Sequence, residues 1–99
     1  MSYEILTQGE QDEIVVEYLH AQERDEFCHQ LNLARFNQML SSLPEGKFKE
    51  RIAQLRNDTN ERLNEVTGIK NATVAQLPSK ERVDAAIGRI AAKEAAARG

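Results

Sequence analysis

Two Glu-x-x-His pairs near the start of the chain have the residue types and the spacing of metal ligands. Glu17 and His20 are three residues apart, as are Glu26 and His29. On an α-helix this spacing places both side chains of a pair on one face, and di-iron carboxylate bundles use the motif together with glutamates from further helices. Both pairs fall on one predicted helix, on faces that do not coincide, so a full ligand set requires a second copy of the chain. A metal-binding bundle formed across a dimer is therefore an alternative function, and the interpretation that we favour has no metal or cofactor.

The sequence does not indicate a nucleophilic site. Cys28 and His29 are adjacent, and neighbouring side chains on a helix point about 100° apart. Cys28 also lies in an apolar region between Phe27 and Leu31, which favours an inert, buried thiol. The chain has no glycine-rich phosphate loop, and its single cysteine rules out an intramolecular disulfide. We therefore expect a protein that is not an enzyme.

The densest basic cluster is a candidate for contact with nucleic acid. Its members follow one another closely: Lys47, Lys49, Arg51 and Arg56. Glu45 and Glu50 interleave with these cations, whereas phosphate binding depends on a concentrated basic surface. Nucleic acid is thus a disfavoured partner. A small regulator that binds nucleic acid or protein through this cluster is the second alternative.

The two halves of the chain carry opposite charge. Residues 1–44 contain eight acidic and two basic residues, a balance of −6, and residues 45–99 contain eight acidic and eleven basic residues, a balance of +3. These balances add to the net charge of −3, and the pI of about 5.4 makes this a small acidic protein. We predict that the first half pairs with the second across the rims of packed helices, each exposed pair contributing about 0–1 kcal/mol.

The elements that position these residues are predicted to be helices. Thr7 and Glu10 have the spacing of a capping box, and no glycine or proline interrupts the following residues up to about position 42. Pro44 and its neighbours form a turn, after which a second helix runs over about 45–76. Pro78 ends that helix and Ser79 caps a third one over about 80–97.

The second helix carries one long apolar stripe, and this is the strongest pattern in the chain. Its nine members are three or four residues apart: Phe48, Ile52, Leu55, Thr59, Leu63, Val66, Ile69, Thr73 and Leu77. Such spacing places them on one helical face. The short turn makes the first two helices antiparallel neighbours, so Leu40 should meet Phe48 and Phe36 should meet Ile52. The predicted fold is all-α, a long antiparallel hairpin with a coiled-coil-like seam and a shorter third helix.

The whole chain of 99 residues is predicted to form one helical domain. Residues 1–6 are expected to be a loose lead-in, and residues 91–99 an exposed helical tail, because they are rich in alanine and have little to bury. We expect no secretory signal, and no apolar run approaches the ~20 residues that span a bilayer. These features favour a cytoplasmic location or a place within a particle that is assembled inside the cell.

The function that the sequence favours is assembly through helical faces. A hairpin covers one side of each helix, which leaves apolar residues of the first and third helices as predicted contact surfaces: Ile14, Val15, Tyr18, Leu19, Val83, Ile87 and Ile90. We expect the protein to form a homo-oligomer or to dock on a larger complex. Its size and build would suit a structural or accessory component of a phage particle.

Overall fold

The computed structural model describes residues 5–99. Three helices account for most of them, namely α1 (Gln8–Ser42), α2 (Lys47–Ala75) and α3 (Lys80–Arg98). The two long helices α1 and α2 pack together, and α3 is the shorter element. The predicted all-α hairpin with a third helix is confirmed. Part of the predicted lead-in, residues 1–4, lies outside the described residues.

The helix starts follow the local chemistry of the sequence. The Thr7 hydroxyl accepts a hydrogen bond from the Glu10 backbone N–H at 3.1 Å, and the Glu10 carboxylate accepts one from the Thr7 backbone N–H at 3.2 Å. This reciprocal pair is the predicted capping box. Ser79 caps α3 in the same way, since its hydroxyl accepts from the Arg82 backbone N–H at 3.4 Å. Side-chain caps thus satisfy backbone donors that have no partner inside their helix.

Residues 20–26, in the middle of α1, are polar apart from Ala21. They do not break the helix, which is continuous from Gln8 to Ser42. Glu26 explains the role of this stretch. Its carboxylate accepts hydrogen bonds from Thr67 Oγ1 at 2.7 Å and from Lys70 Nζ at 2.8 Å, both on α2. Extending the predicted pairing of Leu40 with Phe48 along the helices places Glu26 opposite Arg62. The observed partners Thr67 and Lys70 therefore lie about one to two turns further along α2.

The exposure of Phe48 is a second correction to the predicted register. Phe48 was expected to open the seam against Leu40, but it is 61% exposed, whereas Ile52, one turn later, is 6% exposed. The connection between the helices contributes to this shift, because α2 begins at Lys47 rather than at position 45. Gly46 in the connection has φ 153°, a conformation that residues with a side chain rarely adopt.

The described chain divides into two compact units. One is the continuous segment Gln22–Asn71, which holds the α1–α2 connection and the buried Ile52. The other combines the two ends of the chain, the described part of Met1–Ala21 with Ala72–Gly99. Among the described residues, the buried hydrophobic side chains are Val16, Ile52 and Ala86. Each unit therefore has a thin core.

In the unit built from the chain ends, α3 packs in cis against the first turns of α1. Arg82 donates to both oxygens of Asp12, at 2.6 and 2.9 Å. Glu13 pairs with Lys93 and with Arg89, the latter at 3.4 Å. These contacts join acidic residues of the first half to basic residues of the second, which is the pairing that the charge balance predicts.

Candidate functional site

Two buried carboxylates of α1, Asp12 and Glu13, accept hydrogen bonds from cationic side chains of α3. Asp12 and Glu13 are 5% and 8% exposed, and Arg82 and Lys93 respectively donate to them. The hydrogen bond from Arg82 lowers the pKa of Asp12, and the hydrogen bond from Lys93 lowers the pKa of Glu13. A carboxylate with a lowered pKa stays ionised at neutral pH and is a poor proton acceptor. These ionised groups therefore join α3 to α1.

The Glu-x-x-His pairs do not assemble a metal centre within the described residues. No group of three or more His, Cys, Asp or Glu side chains there could hold a metal ion. Glu26 in particular accepts hydrogen bonds from Lys70 and Thr67. These bonds, the one from Lys70 most, lower the pKa of Glu26. Its oxygens already bind two donors of α2, so a metal would have to displace a contact that joins the helices. Glu17 and His20 are exposed on α1, and His29 is half-buried.

Three cations of the basic cluster make hydrogen bonds to side chains next to them, and one of these acceptors, Glu45, is charged. Lys49 donates to Glu45 at 2.7 Å, Arg51 donates to the Gln54 side chain at 3.3 Å, and Arg56 donates to the Asn57 side chain. A shallow groove of about 280 Å³ lies beside the cluster. Its lining mixes apolar, acidic and basic residues: Leu40, Glu45, Lys49, Glu50, Ala53 and Arg56. Acidic side chains in the same groove weaken its attraction for phosphate groups.

The predicted contact residues divide into outward and inward sets. Ile14 and Tyr18 of α1 are 52% and 54% exposed, and Ile87 of α3 is 41% exposed. The other four are half-buried and take part in packing the chain itself: Val15, Leu19, Val83 and Ile90. The outward set is therefore more available to a partner than the half-buried set. Ile14 and Tyr18 are one helical turn apart, so they form a continuous apolar strip on α1.

A cavity of about 200 Å³ adjoins this strip. Its lining comes from the start of α1, the residues before it and α3: Leu6, Glu10, Glu13, Ile14, Glu17 and Lys93. The sequence did not reveal the cavity, because Leu6 belongs to the expected lead-in and Lys93 to the expected tail. Leu6 is 41% exposed and extends the apolar surface towards the N-terminus. We call Leu6, Ile14 and Tyr18 together the N-terminal apolar patch.

The region around Cys28 differs from its prediction. Cys28 is exposed, not buried, and so is Phe27 beside it, at 63%. Leu31, one turn after Phe27, is 39% exposed. The face of α1 that packs on α2 includes Glu26, and Phe27 points about 100° away from it. Sequence reasoning recognised these residues as apolar but did not identify the side of α1 on which they lie.

No helix of the described chain is long and apolar enough to cross a membrane. No protein-family model, curated protein or solved structure matches the chain.

Proposed function

We propose that this protein is a non-enzymatic assembly module that binds a protein partner, a second copy or a larger complex, through the N-terminal apolar patch. The exposure of Ile14 and Tyr18 next to a side-chain-sized cavity carries the proposal. Exposed apolar residues that form a continuous patch with polar residues at its rim are typical of protein-binding surfaces. Glu10 and Glu17 supply such a rim here.

The thin core supports the same proposal. Eleven large hydrophobic side chains are exposed among the described residues, whereas the buried hydrophobic residues number three. Single exposed apolar residues are ordinary on a protein surface. The patch is different because Ile14 and Tyr18 are neighbours along α1 and Leu6 and Ile14 line one concavity. A partner that covered these residues would remove apolar area from water.

The test uses a photo-crosslinking amino acid at position 18 in the native host cell, with position 74 as the matched control. Tyr18 and Val74 are 54% and 49% exposed, and Val74 is not part of the patch. We expect a discrete crosslinked adduct from position 18 that is absent from position 74. We also expect Ile14→Asp to abolish the adduct formed at position 18. Identical products at both positions, or no product at position 18, would contradict the proposal.

A further inference from the structure

Four exposed residues of α1 form a row with a regular spacing of four. They are Glu23, Phe27, Leu31 and Arg35, and they read acid, apolar, apolar, base. Residues four apart on a helix are neighbours and form a ridge on its surface. We call this set the outer ridge. It belongs to the unit Gln22–Asn71 and is separate from the N-terminal apolar patch.

The order of residues in the outer ridge is self-complementary. If a second α1 runs antiparallel, with the two-fold axis at position 29, Phe27 of one copy lies opposite Leu31 of the other. The same rotation places Glu23 opposite Arg35. Each pairing occurs twice, as the symmetry of an isologous dimer requires. Interdigitation of i±4 ridges is also the commonest way in which two helices pack.

The charged ends of the ridge are available for such a contact. Neither Glu23 nor Arg35 makes an ion pair with another described residue. By contrast, the ion pairs of Asp12, Glu13 and Glu26 hold helices of one chain together. The two large apolar residues between Glu23 and Arg35, at 63% and 39% exposure, are the part that a partner would cover.

From this arrangement we infer that two copies of the chain associate through their outer ridges, with the α1 helices antiparallel. The inference goes beyond the proposed function, because it concerns a surface other than the N-terminal apolar patch and names a second copy of the chain as the partner there. The outer ridge consists of four side chains, which is fewer than the residues of a stable interface that buries about 800 Å² per partner. We therefore expect a reversible dimer with a dissociation constant on the order of micromolar.

Charge reversal tests the pairing directly. Glu23→Arg places two cations at each end of the contact, and Arg35→Glu places two anions there. In sedimentation velocity over a concentration series, we expect either variant alone to dimerise at least tenfold more weakly than the wild type. Mixed together, the two variants should form a heterodimer, because each introduced charge then faces its opposite. The double variant should dimerise like the wild type.

Controls separate this interface from folding and from the N-terminal apolar patch. Glu61→Arg changes an exposed glutamate of α2 and should leave the dimer unchanged, and circular dichroism should show native helix content in every variant. A wild type that is monomeric at ~1 mM, or single variants that dimerise normally, would overturn the outer-ridge inference. The proposed function would still stand if position 18 gave its crosslink, and it would fail alone if the charge-swapped mixture paired while position 18 gave none.

Discussion

Glu26 is the residue whose protonation most directly affects the contact between α1 and α2. The hydrogen bonds from Lys70 and Thr67 lower the pKa of Glu26 in the folded protein, so the folded state binds this proton less readily than the unfolded state. The stabilisation is therefore complete above the ordinary glutamate pKa of about 4.3 and is lost as the pH falls below it.

We expect the melting temperature of the wild type to fall between pH 6 and pH 3. Asp12 and Glu13 add to the fall, because cationic partners lower the pKa of each of them too. Glu26→Gln should lower the melting temperature at pH 6 and make the decline towards pH 3 shallower. Thermal melts recorded by circular dichroism at constant ionic strength measure both effects. An unchanged slope would mean that the ionisation of Glu26 contributes nothing to stability.

Gln22 presents the opposite case, a buried polar group without compensation. It is 5% exposed, and neither its Nε2 nor its Oε1 has a hydrogen-bond partner among the described residues. Burying an amide in this way costs about 1–3 kcal/mol. Gln22→Met keeps the length of the side chain and removes the cost, so we expect the free energy of unfolding to rise by ~1–2 kcal/mol in urea titrations. Gln30→Met, at an exposed position of the same helix, should change it little.

At the scale of the elements, two glycines have opposite roles. Gly46 has a positive φ in the α1–α2 connection, while Gly68 lies inside α2, and an added Cβ would meet nothing within 4 Å at either site. The effect of alanine is therefore set by the backbone alone. We expect Gly46→Ala to lower the free energy of unfolding by ~1 kcal/mol and Gly68→Ala to raise it by ~0.5–1 kcal/mol. Urea unfolding of the two variants should show opposite signs, and equal signs would contradict this account.

The register of α2 against α1 gives a second prediction at this scale. Ile52 is buried, so Ile52→Ala leaves a cavity and should cost ~2–4 kcal/mol. Phe48 is mostly exposed, and Phe48→Ala should cost under ~1 kcal/mol even though it removes more atoms. Chemical denaturation of both variants decides between the two registers. A larger cost for Phe48→Ala would restore the register that pairs it with Leu40.

These elements also show what the sequence could predict. Helix ends were predictable because they depend on local chemistry, such as the Thr7–Glu10 box and the Ser79 cap. The register of α2 against α1 was less predictable than the helix ends, because it depends on the number of residues in the connection before Lys47. The sequence identified Ile14 and Tyr18 as contact candidates and the structure shows them exposed. The cavity beside them includes Lys93, some 80 residues away. A contact between residues so far apart in the sequence cannot be predicted from a local sequence pattern.

For the whole molecule, the few buried apolar side chains should make the heat-capacity change of unfolding small. The heat-capacity change of unfolding rises with the apolar area that becomes exposed, and an average chain of 100 residues shows about 1.2–1.5 kcal/mol/K. Since the buried hydrophobic residues among those described are Val16, Ile52 and Ala86, we expect a value below that range. Calorimetry on dilute protein, where self-association is minimal, measures it. A value within the range would indicate a larger core than these three side chains.

The division into two units also has a consequence for the order in which the chain acquires its structure during synthesis. The segment Gln22–Asn71 is continuous, so its contacts can form as soon as that stretch has left the ribosome. The other unit joins Asp12 to Arg82 and Glu13 to Lys93, which are 70 and 80 residues apart in the sequence, so these contacts cannot form before α3 has left the ribosome. The first turns of α1 must therefore wait, with Asp12 and Glu13 unpaired, until the last helix has been translated.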